Sequence, residues 1–244
     1  YVPIYLVKNN LSPAGIAMDV NKGPLEKAQE HIREEKLGGK IATRLGNGLA
    51  PLEPGETDTV IIAGMGGDLI CKILKAKPEF LIEGKEFILQ PQSEWFKIRR
   101  LLKEYHYQIE KEWFLKEDGK YYVIIKAEPA WTQPQRLKHQ EPSIHEYIKE
   151  ISEIPVNQAV SEKDMESIYE QYGKYLIETK NPVLKEYLEK EITKKESIAA
   201  ELKQSIKEIE SEELSGKERG NIAKRQRRYQ EIQKEIRDMR KAIG

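Results

Sequence analysis

Residues 59–67 read Thr-Val-Ile-Ile-Ala-Gly-Met-Gly-Gly. Asp58 to Ala63 predicts a strand apolar enough to be buried on both faces. The run from Gly64 to Gly67, three glycines in four positions, leads into a helix expected from about Asp68 to Ala76. Glycines at such a strand-to-helix turn let another backbone or a ligand approach closely and expose amide donors at the helix start. Tight packing is the competing explanation. No Lys-Ser/Thr pair follows, so this is not a phosphate-cradling Walker loop, and the spacing is not that of the Gly-x-Gly-x-x-Gly dinucleotide fingerprint.

Outward from this turn the pattern alternates. Upstream, Gly15 to Asp19 reads as a strand, Pro24 opens a helix on Leu25, Ala28, Ile32 and Leu37, and Ile41 to Leu45 reads as a second strand. Downstream, Phe87 to Gln90 is a fourth strand closed by Pro91, and Glu94 to Tyr105 a helix. Alternation of this kind implies parallel pairing with right-handed crossovers in a doubly wound α/β sheet. Tyr107 to Leu115 and Tyr121 to Ala127 then form a hairpin through Glu117-Asp118-Gly119-Lys120, whose Asp-Gly pair suits a tight turn.

Trp131 to Pro142, with Pro134 and Pro142 among polar residues, reads as a linker. Beyond it, Pro182 to Glu213 spaces Leu184, Leu188, Ile192, Ile198, Leu202, Ile206 and Ile209 mostly three or four apart. Lys217 to Ile243 repeats this with Ile222, Tyr229, Ile232, Ile236, Met239 and Ile243, and Ser215-Gly216 stands between. An antiparallel coiled-coil hairpin is expected. The predicted organisation is a sheet domain over 1–130 and a helical domain over 143–244.

Composition narrows the class. The 244 residues carry 41 basic and 41 acidic side chains, so any attraction to a polyanion must come from local asymmetry. Cys71 is the single cysteine, which excludes an intrachain disulfide, and the longest apolar runs are too short to span a bilayer. His31, His106, His139 and His145 show no ligand spacing, so no metal is expected. A cytoplasmic protein without a membrane partner is the resulting expectation. The opening Tyr1-Val2-Pro3 shows neither an initiator methionine nor a signal-peptide pattern and reads as a chain cut at its N-terminus.

The loops at the carboxyl ends of the strands are where an open α/β sheet binds ligands. Asp19, followed by Val20, can accept from both hydroxyls of a ribose, or equally cap the next helix. Gly46-Asn47-Gly48 ends the next strand. Asn47 can accept from an adenine amine while its glycines admit the backbone, or the three can form an ordinary turn. Ala63, Gly64 and Met65 complete the candidate cofactor contacts. Gln90-Pro91-Gln92, with Ser93, ends the fourth strand.

These residues resemble the bacterial tRNA (adenine-22)-N1-methyltransferases, the TrmK family. The likeness runs along nearly the whole chain. Tyr1-Val2-Pro3 is similar to the tail of the family's Asp-x-Gly-x-Asp-His-x-Tyr-Leu-Pro motif, and Asp19 with Gly23-Pro24-Leu25 and Ala28 to its acidic second loop. Ile62 to Gly67, Ile88 to Pro91 and Glu117 to Tyr122 resemble later signatures. The parallel sheet closed by an antiparallel hairpin is, by fold analogy, that of a Rossmann-like class I methyltransferase. The chain departs in lacking the glycine loop and acids that the family places before Tyr1, which would hold the cofactor's methionine part and the target base and whose missing strand would leave an unpaired central sheet edge, and in having Asn47 where Asp is usual.

The resemblance implies S-adenosylmethionine as cofactor and N1 of adenine 22 in tRNA as methyl acceptor. A catalytically inactive nucleotide- or tRNA-binding protein on the same fold is the alternative. It further implies a base pocket shaped by Gly66, Gln90, Pro91 and Gln92. No general base is nominated, because adenine N1 carries a free lone pair. The oligomeric state is open, and a monomer is compatible with the reading. Charge in the hairpin is asymmetric: Lys217 to Lys241 holds ten basic and four acidic residues, Asn181 to Glu213 six and nine. This either pairs the two helices or, through outward members of Arg225, Arg227 and Arg228, holds tRNA phosphates.

Overall fold

The structure is a computed structural model that describes residues 1–130, 156–210 and 216–244. The expected linker at Trp131–Pro142, the start of the helical domain at 143, His139, His145 and Ser215 lie outside the described residues. The sheet part runs α1 (Val2–Lys8), β1 (Gly15–Asp19), α2 (Lys22–Glu34), β2 (Ile41–Leu45), β3 (Thr59–Met65), α3 (Gly67–Ala76), α4 (Pro78–Ile82), β4 (Glu86–Pro91), α5 (Trp95–Glu104), β5 (Tyr107–Glu117) and β6 (Lys120–Pro129). The helical part holds α6 (Val156–Tyr172), α7 (Lys174–Glu178), α8 (Pro182–Glu210) and α9 (Gly216–Ile243).

The parallel strands come in two ladders. β1 pairs with β2 in one sheet, and the other has the order β3-β4-β6-β5, parallel between β3 and β4 and antiparallel from β4 onward. No ladder joins β1 to β3. Contact between the two sheets is made by side chains: Leu49 and Leu52, after β2, share a core with Val60 and Ile62 of β3, and Ile16 and Met18 of β1 pack against it. The hairpin turn is as expected, with Asp118 at φ 48° and Gly119 at φ 77°, the left-handed pair of a two-residue turn matched to strand twist.

One expectation is corrected at β3. The strand is buried on one face only: Val60 and Ile62 face the core, whereas Thr59, Ile61 and Ala63 are exposed. An unbroken apolar run marks a strand, but burial of its second face requires a covering layer, and among the described residues the face carrying Ile61 has none. Two short helices were not anticipated. α1 starts on Pro3 in its first turn, and α4 has Pro78 at its start; in both, proline's fixed φ suits a helix beginning. α2 begins at Lys22 after Asn21, two residues before Pro24.

The helical part shares the core of the sheet part. Ile168, Tyr172, Leu176, Leu184 and Leu188 belong to the same buried cluster as Phe114 and Ile125. α8 and α9 run antiparallel, as the cross-helix contacts Lys195 to Glu235, Glu196 to Arg240 and Ser205 to Arg225 show. Among the described residues no helix is long and apolar enough to cross a membrane.

Candidate functional site

The candidate residues gather at the carboxyl ends of the strands. Where β1 ends, Asp19 accepts from the Asn21 amide at 2.8 Å through Oδ1, so one carboxylate oxygen caps the turn into α2. Its backbone carbonyl accepts from the Gly46 amide at 3.0 Å, tying the ends of β1 and β2 together. Val20 is 61% exposed beside it.

The glycines of the β2 loop have packing reasons. A Cβ on Gly46 would stand 2.2 Å from Pro51 Cγ, and one on Gly48, at φ 55°, 2.8 Å from Ile73 of α3. Asn47 between them is exposed. Arg44 ties the loop down: Nη1 donates to the Pro51 carbonyl at 2.8 Å, and the guanidinium grips both Glu56 carboxylate oxygens at 2.6 and 2.7 Å. The Glu53 amide donates to Glu56 as well, at 2.8 Å. Arg44 first and this amide second hold the Glu56 carboxyl down at about 2.

At the β3 end the glycines divide their roles. Gly67 is a packing glycine, because its Cβ would lie 2.6 Å from the Ser93 carbonyl oxygen, which accepts from its amide at 3.0 Å. Gly64 is a conformational one: it sits at φ 79° with nothing within 4 Å of its Cβ position. Its amide donates to Gln90 Oε1 at 2.8 Å, while Gln90 Nε2 is buried without a partner among the described residues. The Gln92 amide donates to the Met65 carbonyl at 2.8 Å. Gly66, Gln90 and Gln92 thus join one turn with Ala63, Gly64 and Met65, and Pro91 is buried beneath it.

Sequence reasoning missed the support of this turn. Glu94, at φ 52°, precedes α5 and accepts from the Asp68 amide at 3.2 Å, capping α3 from the neighbouring element. Lys97 bridges Asp68 at 2.9 Å and Glu94 at 3.1 Å. Lys72 and Lys97 hold the Asp68 carboxyl down at about 2. The Glu94-x-x-Lys97 spacing hinted at the local pair but not at its reach to α3. Arg225, Arg227 and Arg228 lie on α9, outside this edge. Arg225 contacts Ser205 of α8, and Arg228 pairs with Glu231 at 3.1 Å and Glu235 at 3.3 Å. Arg227 is exposed and has no ion pair or hydrogen bond among the described residues.

The family described as tRNA (adenine(22)-N(1))-methyltransferase, TrmK, matches residues 1–153. The chain belongs to the TrmK family. A relative from Bacillus subtilis (strain 168) named tRNA (adenine(22)-N(1))-methyltransferase is 38% identical over 128 residues, 52% of this chain and 54% of that protein. The chain therefore spans about half the length of this curated TrmK relative. The crystal structure of the B. subtilis m1A22 tRNA methyltransferase TrmK superposes with a TM-score of 0.70 at 25% identity, covering 100% of this chain and 88% of that one. M. capricolum TrmK in complex with S-adenosyl-homocysteine gives 0.65 at 24% identity, covering 100% and 86%, a likeness of fold.

Proposed function

We propose that this protein transfers the methyl group of S-adenosylmethionine to N1 of adenine 22 in tRNA. Membership of the TrmK family and the activity named for the B. subtilis relative support the reading. The observation that carries it is the Gly64–Gln90 turn. One end of the Gln90 amide is anchored at 2.8 Å and the other is a buried donor with no partner among the described residues, beside a glycine whose surroundings are open. A buried, unpaired donor is costly unless a ligand satisfies it.

The residues present fit a nucleoside-bearing cofactor. Asp19, half-buried, keeps one carboxylate oxygen beyond its capping bond to accept from ribose hydroxyls. The exposed Asn47 can accept from an adenine amine, and Val20 and Met65, 61% and 37% exposed, offer apolar surface to the ring. Gly46, Gly48, Ala63 and Gly64 bring backbone to the same edge. When bound, S-adenosylmethionine supplies an electrophilic methyl on a sulfonium sulfur, as the M. capricolum relative's bound S-adenosyl-homocysteine suggests.

This chain's work is then positioning. Adenine N1 is a neutral nitrogen with a free lone pair, so no residue needs to remove a proton first, and holding the reactants in line supplies most of the acceleration. N1 lies on the Watson–Crick edge, so the base must be unpaired. Gly66, Gln90 and Gln92 offer backbone and amide groups to it, and the buried Pro91 gives shape. Residues 1–130 form the methyl-transfer domain and 143–244 a helical domain whose Arg225, Arg227 and Arg228 engage tRNA phosphates, Arg227 foremost because it has no ion pair or hydrogen bond among the described residues. This work on tRNA belongs, in the same reading, to a monomer in the cytoplasm.

The test is incubation with labelled S-adenosylmethionine and bulk tRNA, with modified nucleosides mapped by mass spectrometry. 1-Methyladenosine at position 22 is the expected product. Binding of both ligands without transfer would instead make this a catalytically inactive relative.

A further inference from the structure

A cavity of about 580 Å³ lies where the segment after β4 meets the helical part, lined among others by Gln92, Trp95, Tyr172, Tyr187 and Asp238. This volume is in the range of small-ligand sites. Its position relates it to the methyl-transfer edge. The Gln92 amide binds the Met65 carbonyl at 2.8 Å and the Ser93 carbonyl binds the Gly67 amide at 3.0 Å, so the segment lining the cavity is also the one that braces the glycine turn. The 93–94 backbone is packed directly on Gly67, and Ser93 and Glu94 also line the cavity, so one segment touches both. A ligand in the cavity would therefore adjoin the proposed methyl-acceptor edge.

The lining selects the ligand. Trp95 and Tyr187 rings lie 5.7 Å apart between centroids, and Tyr172 adds a third ring to the wall. Trp95 Nε1 is a buried donor with no partner among the described residues. Of the carboxylates, Glu94 is held by Lys97 at 3.1 Å, Glu235 by Lys195 and by Arg228 at 3.3 Å, and Glu191 faces Lys194 at 3.8 Å. Asp238 has no hydrogen bond or cation within ion-pair distance among the described residues. A free carboxylate repels phosphate but accepts from an exocyclic amine. Aromatic rings and one unpaired acceptor describe a seat for a planar, amine-bearing base.

We infer that this cavity seats an unpaired, amine-bearing nucleobase of the RNA that neighbours the methyl acceptor, stacked on the aromatic wall with its amine on Asp238. The inference rests on the tRNA reading above. Stacking of a single base on aromatic side chains contributes enough to change affinity by about tenfold or more. A base contact neutralises no phosphate, so its loss should leave the salt dependence of binding unchanged.

The test uses bulk tRNA and the intact protein, without methyl transfer. Ultraviolet cross-linking followed by peptide mass spectrometry is expected to attach a nucleotide to the peptide carrying Trp95 or to that carrying Tyr172. Ser167→Trp, which fills the cavity from an exposed lining position, is expected to weaken tRNA binding about tenfold with an unchanged salt slope. Asp238→Ala is expected to weaken it in the same manner and decides the matter if Ser167→Trp fails to fold. Unchanged affinity in the folded variants, or a loss accompanied by a flatter salt slope, overturns the cavity site and leaves the methylation reading standing. A parent protein that binds no tRNA overturns both.

Discussion

Arg99 of α5 and Glu112 of β5 form an ion pair at 2.8 Å with side chains only 4% and 1% exposed, and α6 closes over them. Arg99 Nη1 donates to the Glu170 and Gln171 carbonyls at 3.1 and 2.9 Å, near the end of α6. Gly173, at φ 93°, follows directly, where a Cβ would lie 2.4 Å from Glu112 Oε2. Burial pushes the Glu112 carboxyl up and Arg99 opposes it. One charged side chain thus ties the sheet to the carbonyls at the end of the first described helix of the appendage. The same helix α5 begins at Trp95, beside the glycine turn, so the joint and the candidate site share an element.

Removing one partner strands the other charge in the interior. Arg99→Met should therefore lower stability by about 3–5 kcal/mol in urea unfolding. Arg99→Met/Glu112→Leu should recover most of this but not all, since two helix carbonyls lose their donor at about 1 kcal/mol each. A double variant no more stable than the single one would contradict this account.

Two glycines with similar φ should respond differently to alanine. Gly64→Ala meets open space and costs only the left-handed backbone penalty, about 1–2 kcal/mol. Gly173→Ala adds a collision with two buried charged side chains and should cost clearly more, with a thermal midpoint lower than that of Gly64→Ala. Equal midpoints would show that the joint can yield.

The Arg44–Glu56 clamp gives the loop around Asn47 an acid limit. The Glu56 carboxyl is held at about 2 against an ordinary 4.5, so its contribution is complete above pH 4.5 and fades as pH falls toward 2. Amide hydrogen exchange at residues 46–56 should accelerate across that window relative to β4. Glu56→Gln should show the faster exchange already at neutral pH and lose the acid dependence.

Asp19→Ala is expected to weaken S-adenosylmethionine binding by about 1.5–3 kcal/mol, the range for a hydrogen bond to a charged group. Isothermal titration calorimetry reads this directly. Undiminished affinity there would leave Asp19 as a capping residue and nothing more.

On α9, Lys224, Arg227, Lys234 and Arg237 are exposed and have no ion pair or hydrogen bond among the described residues. Each that meets a tRNA phosphate contributes about 0.9 to the slope of log affinity against log salt, so Arg227→Ala should flatten it by about that amount. Arg225→Ala, which removes a contact to Ser205 across the hairpin, should cost helix pairing more than tRNA affinity. A slope unchanged after replacing Arg225, Arg227 and Arg228 together would make the hairpin purely structural.

Sequence alone determined what depends on neighbours along the chain. Apolar runs near glycine or proline marked β1, β3 and β4, the Asp118-Gly119 pair marked the turn between β5 and β6, and the three-and-four spacing of Leu184, Leu188, Ile232 and Ile236 marked the buried faces of α8 and α9. The candidate edge was legible for the same reason, since strand ends carry their loops with them. Tertiary structure alone decided what depends on residues far apart. Whether a glycine answers a ligand or a neighbour turned on Pro51, Ile73 and Ser93 approaching Gly46, Gly48 and Gly67. Whether β3 is covered on both faces turned on a layer its own apolar run cannot specify. The pairing of Arg99 with Glu112 and with carbonyls some seventy residues on leaves no periodicity to read, because a buried charge is satisfied by whatever the fold brings to it, not by its place in the chain.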